Sequence, residues 1–100
     1  MIGLRPAHDL AQIKHRVAGG AFVITLQARQ DAYRLGLDAQ DVRDCVLSLS
    51  GSDFNKSMKS ERFPGQYQDV YHINYAGFEL YVKLQIRRNG PAVVISFKLR

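Results

Sequence analysis

The clearest pattern in the sequence is a strict alternation of apolar and polar residues over positions 77–86. The apolar positions are Phe78, Leu80, Val82, Leu84 and Ile86. Because successive side chains of a strand point to opposite faces, this pattern predicts a strand with one apolar and one polar face. A second β-rich run follows Asn89-Gly90, a dipeptide typical of tight hairpin turns. We therefore predict a hairpin over residues 77–99. The hairpin residues expected in the core are Leu80, Val82, Ile95 and Phe97.

The N-terminal half has the period of about 3.6 residues that indicates amphipathic helices. Three helices are predicted, over residues 6–17, 27–35 and 38–49. Asp9 lies near the start of the first, where a carboxylate can cap the helix, and Gly19-Gly20 follows its end. Cys45 lies on the apolar stripe of the third, so we expect its thiol in the core.

Three shorter segments complete the predicted order of elements. Residues 21–25 predict a short strand at the edge of the sheet, and residues 66–73 predict a strand that leads into the hairpin. Residues 52–59 are polar and lack a clean period, so they predict a loop, with Phe54 and Met58 pinning a single helical turn to the core. Helices followed by a three-stranded antiparallel meander predict an α+β fold, with the helices packed on one face of the sheet.

Length and composition are those of one modest domain over residues 1–100. Hydrophobic residues make up 46% of the chain, which favours a globular fold over disorder. No apolar run is long enough to span a bilayer, and the first residues lack the apolar stretch of a signal peptide, so we expect a cytoplasmic protein. A single cysteine excludes an internal disulfide and a multi-cysteine metal site.

Positive charge is concentrated in the half that is predicted to form the sheet. The net charge is +5, and residues 51–100 hold eight basic and four acidic side chains, which gives +4. An excess of Lys and Arg interleaved with aromatic residues indicates an anionic partner, most commonly nucleic acid. The charge by itself is also compatible with a basic surface that has no function. The polar face of the hairpin carries Tyr81, Lys83, Ser96 and Lys98.

Four separated motifs resemble the MqsR family of bacterial toxins. They are Ser52-Asp53-Phe54-x-Lys56-Ser57-Met58, Gln68-Asp69-Val70-Tyr71, Tyr81-Val82-Lys83 and Ser96-Phe97-Lys98. Members of this family are mRNA-cleaving toxins of type II toxin–antitoxin systems with a RelE-like fold. The resemblance covers nearly the whole chain and implies an endoribonuclease that needs no cofactor. It also implies a cognate antitoxin that contains zinc and binds DNA.

The resemblance also implies which residues form the site. The catalytic positions it implies are Lys56, Gln68, Tyr81 and Lys98. Further candidates for RNA binding are Lys59, Lys83, His72 and Asn55. Asn55 and His72 differ from the tyrosine and arginine of the family, and these differences bear on base preference and cleavage rate. No metal site is expected, because the sequence has no cluster of potential ligands with suitable spacing.

These residue types suit RNA cleavage without a metal, in which the ribose 2′-OH attacks the adjacent phosphate. Lysines can stabilise the negative charge that develops on the phosphate, and a tyrosine can exchange a proton or stack on a base. Gln68 can orient the phosphate or read a base edge. Two alternatives stay open: an RNA-binding module or translation repressor without catalysis, and a structural subunit whose polar face is buried by protein.

Overall fold

The computed structural model describes residues 2–100, which form a layer of helices against a six-stranded sheet. The helices are α1 (Leu10–Ala18), α2 (Leu26–Arg34) and α3 (Ala39–Ser48). The strands are β1 (Ile2–Gly3), β2 (Phe22–Ile24), β3 (Phe54–Lys59), β4 (Tyr67–Tyr75), β5 (Phe78–Ile86) and β6 (Ala92–Leu99). The order across the sheet is β1-β3-β4-β5-β6-β2, and only the β6–β2 pair among these strands is parallel. The predicted α+β class is confirmed, and the arrangement is consistent with a RelE-like fold.

Helix starts follow from local hydrogen bonds. The Asp9 carboxylate accepts a hydrogen bond from the backbone N–H of Ala11, which fixes the start of α1. The helix predicted from residue 6 therefore starts four residues later, because the N–H groups of Ala7 and His8 donate to the side chain of Asp69 and not to a helix. At α3, Asp38 and Asp41 form a reciprocal capping box.

The segment 52–59 is not the loop that its polar sequence predicts. A single 3₁₀ turn at Gly51–Asp53 leads into β3, which pairs with β4 on one side and β1 on the other. Phe54 packs edge-on against Tyr71 in the core, whereas Met58 lies opposite Gln68 on the other face, so the predicted helical turn was wrong. Pairing on both sides satisfies the backbone of β3, and this overrides the weak strand propensity of its polar residues.

The two hairpin turns differ from the expectation. The tight turn is Ala76-Gly77 between β4 and β5, where both residues have positive φ. Asn89 also has positive φ, but it lies within a five-residue connection in which the Arg87 N–H donates to the Pro91 carbonyl. The predicted tight turn at Asn89-Gly90 is therefore a longer loop.

The core lies between the helices and one face of the sheet. Its buried residues include Ile13, Val17, Ala28, Val42, Val46, Leu80, Val82, Leu84 and Phe97. Cys45 is fully buried among them, which confirms the prediction for this thiol. Ile95, expected in the core, is only half-buried on the opposite face. The reason is a β-bulge: Lys83 pairs with Ser96 and Leu84 with Val94, so Ile95 is the extra residue.

The face of the sheet opposite the helices is called the open face below. It carries the polar residues of β5 and their neighbours on β3, β4 and β6. None of the helices in the described part of the chain is long and apolar enough to cross a membrane.

Candidate active site

A row of three candidate site residues crosses the open face. Tyr81 on β5 pairs with His72 on β4 and with Lys98 on β6. The Lys98 ammonium is 5.2 Å from the centroid of the Tyr81 ring, and the centroids of the His72 and Tyr81 rings are 5.9 Å apart. The phenol is thus placed between an ammonium group and an imidazole, which gives a cation and a proton-exchanging group on either side of it.

The next row along the strands adds two more lysines. Lys56 on β3 pairs with Val70 on β4, which pairs with Lys83 on β5. Val70 is fully buried even though it lies on the open face, because the lysine stems on either side cover apolar surface while their ammonium groups stay in water. The Lys83 ammonium is 5.8 Å from the Tyr81 ring centroid. Two cations therefore approach the same phenol ring.

The imidazole of His72 is perturbed by its surroundings. Partial burial lowers the pKa of its imidazole from the usual 6.5, and the positive charges of Arg100 and Lys56 lower it further. The imidazole is therefore neutral at neutral pH, with a nitrogen lone pair that can accept a proton. Sequence reasoning placed His72 among the RNA-binding candidates; the structure places it directly opposite Tyr81.

Gln68 stands apart from the other three catalytic candidates. It precedes His72 by four residues on β4, which places it about 13 Å along the strand from the His72–Tyr81 row. Its amide donates a hydrogen bond to the side chain of Gln85 at 3.2 Å. The structure therefore places His72 and Lys98 on either side of Tyr81, with Lys56 in the adjacent row, and Gln68 beyond that row in a cavity that it shares with Lys83.

The remaining two candidates lie at the margin of the cluster. Asn55 is exposed at the β-bulge between Phe54 and Lys56. Lys59 pairs with Tyr67 at the end of β3, out of phase with Lys56, and lines a small cavity with Gln68 and Lys83. Lys59 thus carries the same charge as Lys56 but lies outside the two rows around Tyr81.

The chain is similar to known proteins over nearly its whole length. A family model described as "Motility quorum-sensing regulator, toxin of MqsA" matches residues 5–99. The chain is 32% identical over 93 residues to the mRNA interferase toxin MqsR of Escherichia coli strain K12, and the match covers 93% of each chain. The protein belongs to the MqsR toxin family. The resemblance inferred from the four motifs is confirmed, and the family description couples these toxins to a protein called MqsA.

One family-like motif has a structural role in this member. In Gln68-Asp69-Val70-Tyr71, the side chain of Asp69 is fully buried on the helix side of the sheet. Its two carboxylate oxygens accept hydrogen bonds from the backbone N–H groups of Ala7 (2.9 Å) and His8 (2.8 Å). These two hydrogen bonds hold the segment before α1 against β4 and explain why the helix starts only at Leu10.

Sequence reasoning missed Arg100 and the glutamines beyond Gln68. The Arg100 N–H donates to the Glu79 carbonyl, which continues the β5–β6 ladder and brings the guanidinium near His72. Gln66 and Gln85 join Gln68 in one hydrogen-bonded group. Gln85 alternates with the core residues of β5, so its position on the polar face could be predicted from the sequence. Within residues 2–100, no three His, Cys, Asp or Glu side chains are grouped so that they could hold a metal ion.

Proposed function

We propose that the protein is a toxin of a type II toxin–antitoxin system that cleaves mRNA and thereby blocks translation and growth. The observation that carries the proposal is the placement of Tyr81 between His72 and Lys98, with Lys56 and Lys83 in the adjacent row. Membership of the MqsR family and the name of the E. coli relative support it.

The proposed reaction is transesterification of an RNA phosphate. His72 takes the proton of the ribose 2′-OH, and O2′ attacks the adjacent phosphorus to form a new P–O2′ bond. The P–O5′ bond breaks, and the departing O5′ takes a proton from the Tyr81 hydroxyl. The products are a 2′,3′-cyclic phosphate and a 5′-hydroxyl. Water returns a proton to Tyr81 and removes one from His72, so no net proton is consumed.

The lysines stabilise the charge that this reaction creates. The phosphorane carries more negative charge than the starting phosphodiester, and ammonium groups already in place stabilise that increase without reorganisation. Lys98 and Lys83 lie beside the Tyr81 ring, where they also stabilise the phenolate left after proton transfer. Lys56 approaches the same phosphate from the β3 side. Gln68, Lys59 and Asn55 would then contact RNA away from the reacting atoms.

The chemistry restricts the substrate and suggests the partner. DNA lacks the 2′-hydroxyl that acts as nucleophile, so the reaction selects RNA. A single ribonuclease domain over residues 1–100, acting on mRNA in the cytoplasm, needs a neutralising partner in the cell that makes it. As the family description implies for MqsA, we propose a cognate antitoxin, and the resemblance adds that it contains zinc and binds DNA.

The decisive experiment is to incubate the purified protein with a defined RNA in EDTA and to determine the chemistry of the product ends. We expect shortened RNA with 2′,3′-cyclic phosphate and 5′-hydroxyl ends, and no cut where the attacking 2′-OH is replaced by hydrogen. RNA that is bound and protected but not shortened would establish the RNA-binding module instead. Activity lost in EDTA and restored by Mg²⁺ would contradict the proposed chemistry.

A further inference from the structure

A cavity of about 430 Å³ opens on the open face, at the end remote from Tyr81. Val93 and Ile95 of β6 give it an apolar wall, and Phe63, which is 54% exposed, stands on its rim. Its volume lies within the range of roughly 300–1,000 Å³ that is typical of small-molecule sites. Phe63 is not part of the hydrophobic core, and its exposed aromatic ring can stack on a ligand.

A row of three glutamine amides lines the polar side of this cavity. Gln68 donates to the Oε1 atom of Gln85, and Gln85 in turn donates to the Oε1 atom of Gln66. Gln85 is only 5% exposed, so the packed strands hold the middle of the row in place. Gln68 and Gln66, at the two ends of the row, both line the cavity, and the hydrogen bonds of the row do not use the Oε1 atom of Gln68 or the Nε2 atom of Gln66. Such a donor and acceptor combination matches the edge of a nucleobase.

The charges around the cavity favour an anionic ligand. Arg62 and Arg87 contribute to the lining, and none of the described lining residues is acidic. A smaller cavity of about 220 Å³ shares Ser60, Arg62 and Gln68 with it and extends to Lys59, Glu61 and Lys83. The two cavities therefore form one trough that runs from Phe63 to Lys83, and its arginines and lysines outnumber the single carboxylate of Glu61. An RNA strand whose phosphate lies at Tyr81 would follow this trough.

We infer that the cavity bounded by Phe63, Gln66 and Gln85 receives one unpaired base of the RNA substrate and sets the sequence preference of cleavage. The inference rests on the proposed function, because it assigns a second part of the substrate to the same face. Single-stranded RNA is recognised by stacking of splayed bases on aromatic side chains and by hydrogen bonds to their edges, and the cavity offers both. The base lies about 13 Å along the strands from the reacting phosphate, a distance that very few nucleotides span.

The test compares cleavage of an RNA pool with randomised sequence by the wild type and by Phe63→Ala and Gln66→Ala, with the ends identified by sequencing. Tyr33→Ala and Gln30→Ala are matched controls, because both side chains are exposed on α2. We expect both cavity variants to flatten the base preference at one and the same position. For the preferred RNA, KM should rise roughly 10-fold with kcat unchanged, the effect of losing one stacked base. Phe63→Tyr, which keeps the ring, should restore the preference.

Several results would overturn the inference. One is an unchanged preference at every position, and another is an equal change in the α2 controls. A third is a loss of antitoxin binding by the cavity variants while RNA preference is kept, which would assign the cavity to a protein. If the wild type cleaves no RNA, the proposed function fails. Binding of a fluorescent single-stranded RNA pool then decides the inference: equal affinity of wild type and Phe63→Ala refutes it.

Discussion

His72 lies directly opposite Tyr81 on the neighbouring strand, with their ring centroids 5.9 Å apart. The imidazole of His72, which is neutral at neutral pH, thus lies beside a phenol ring that two lysines approach. An imidazole and a phenol are thereby placed side by side on a rigid sheet, where neither depends on the position of a loop.

The first prediction concerns the titration of His72. Its pKa, followed through the ring proton resonances, should lie below 6.5, because burial and two cations disfavour the imidazolium. Arg100→Ala and Lys56→Ala should each raise the pKa, since each removes a positive charge. The ring resonances of His15 on α1 should not respond to either change. A pKa of His72 that is unaffected by both substitutions would mean that the cluster is not electrostatically coupled.

The same shift predicts how stability depends on pH. The unfolded chain protonates His72 at its ordinary pKa of 6.5, whereas the folded chain does so at a lower pH. Between these two values the unfolded state binds more protons, so the free energy of unfolding falls as pH decreases through this window and is fully retained above 6.5. His72→Gln should reduce this part of the pH dependence in thermal melts. A variant with the wild-type dependence would assign it to other groups.

The second prediction separates position from charge among the lysines. Lys56→Ala and Lys98→Ala should each lower RNA cleavage by roughly 10²-fold or more, the usual cost of deleting one preorganised charge stabiliser, and should remove growth inhibition. Lys59→Ala removes the same charge from a side chain that lies outside the rows around Tyr81. Its effect should be far smaller and should fade as salt rises, because Lys59 attracts RNA but does not contact the reacting phosphate. Circular dichroism should show that all three variants fold.

Equal, small and salt-sensitive effects at the three lysines would contradict the catalytic assignment. They would indicate a diffuse binding surface and favour the RNA-binding module. Lys83→Ala should lower cleavage less than Lys98→Ala but more than Lys59→Ala. The Lys83 ammonium group lies beside the Tyr81 ring, but Lys83 pairs with Ser96 on β6, one row away from the Tyr81–Lys98 pair.

The third prediction concerns the buried carboxylate of Asp69. Asp69→Ala should lower the free energy of unfolding by about 3 kcal/mol, because two hydrogen bonds to a charged acceptor are lost and two backbone donors lose their partner. Urea denaturation measures the loss, and hydrogen exchange should show faster exchange at Ala7 and His8. Asp31→Ala breaks a solvent-screened ion pair with Arg34 on α2 and should cost under about 1 kcal/mol. Comparable losses in the two variants would refute the anchoring role of Asp69.

The fourth prediction concerns the thiol of Cys45. Burial, with a smaller contribution from the negative charge of Asp53, raises its pKa to about 12. The native protein should therefore react very slowly with iodoacetamide at neutral pH, and labelling should become rapid in urea at the unfolding midpoint. Rapid labelling without denaturant would show that α3 opens readily.

The sequence predicts the parts of this fold that repeat a simple period. The alternation along β5 correctly placed Leu80 and Val82 in the core and Tyr81 on the open face. The polar run of β3 has no such period. It forms a strand because it pairs with β1 and β4, and β1 is distant from it in sequence. Ile95 was misplaced because a β-bulge inverts the parity of β6, and no local residue type requires that bulge.

The site was predictable only in part for a related reason. Motif matching named Lys56, Tyr81 and Lys98, but the distance between Gln68 and Tyr81 follows from strand register, which the sequence alone does not show. The position of His72 beside Tyr81 likewise follows from strand pairing.

Strand β5 interleaves core and site one residue at a time, with Leu80, Val82 and Leu84 on one side and Tyr81 and Lys83 on the other. Inserting or deleting one residue here would exchange the two faces, so that packing and chemistry would be lost together. Evolution can therefore alter this strand by substitution but hardly by length. The connection over residues 60–66 can change in length more easily, because insertions and deletions there leave the register of the sheet intact. Relatives that attack different RNA sequences could therefore differ in this connection.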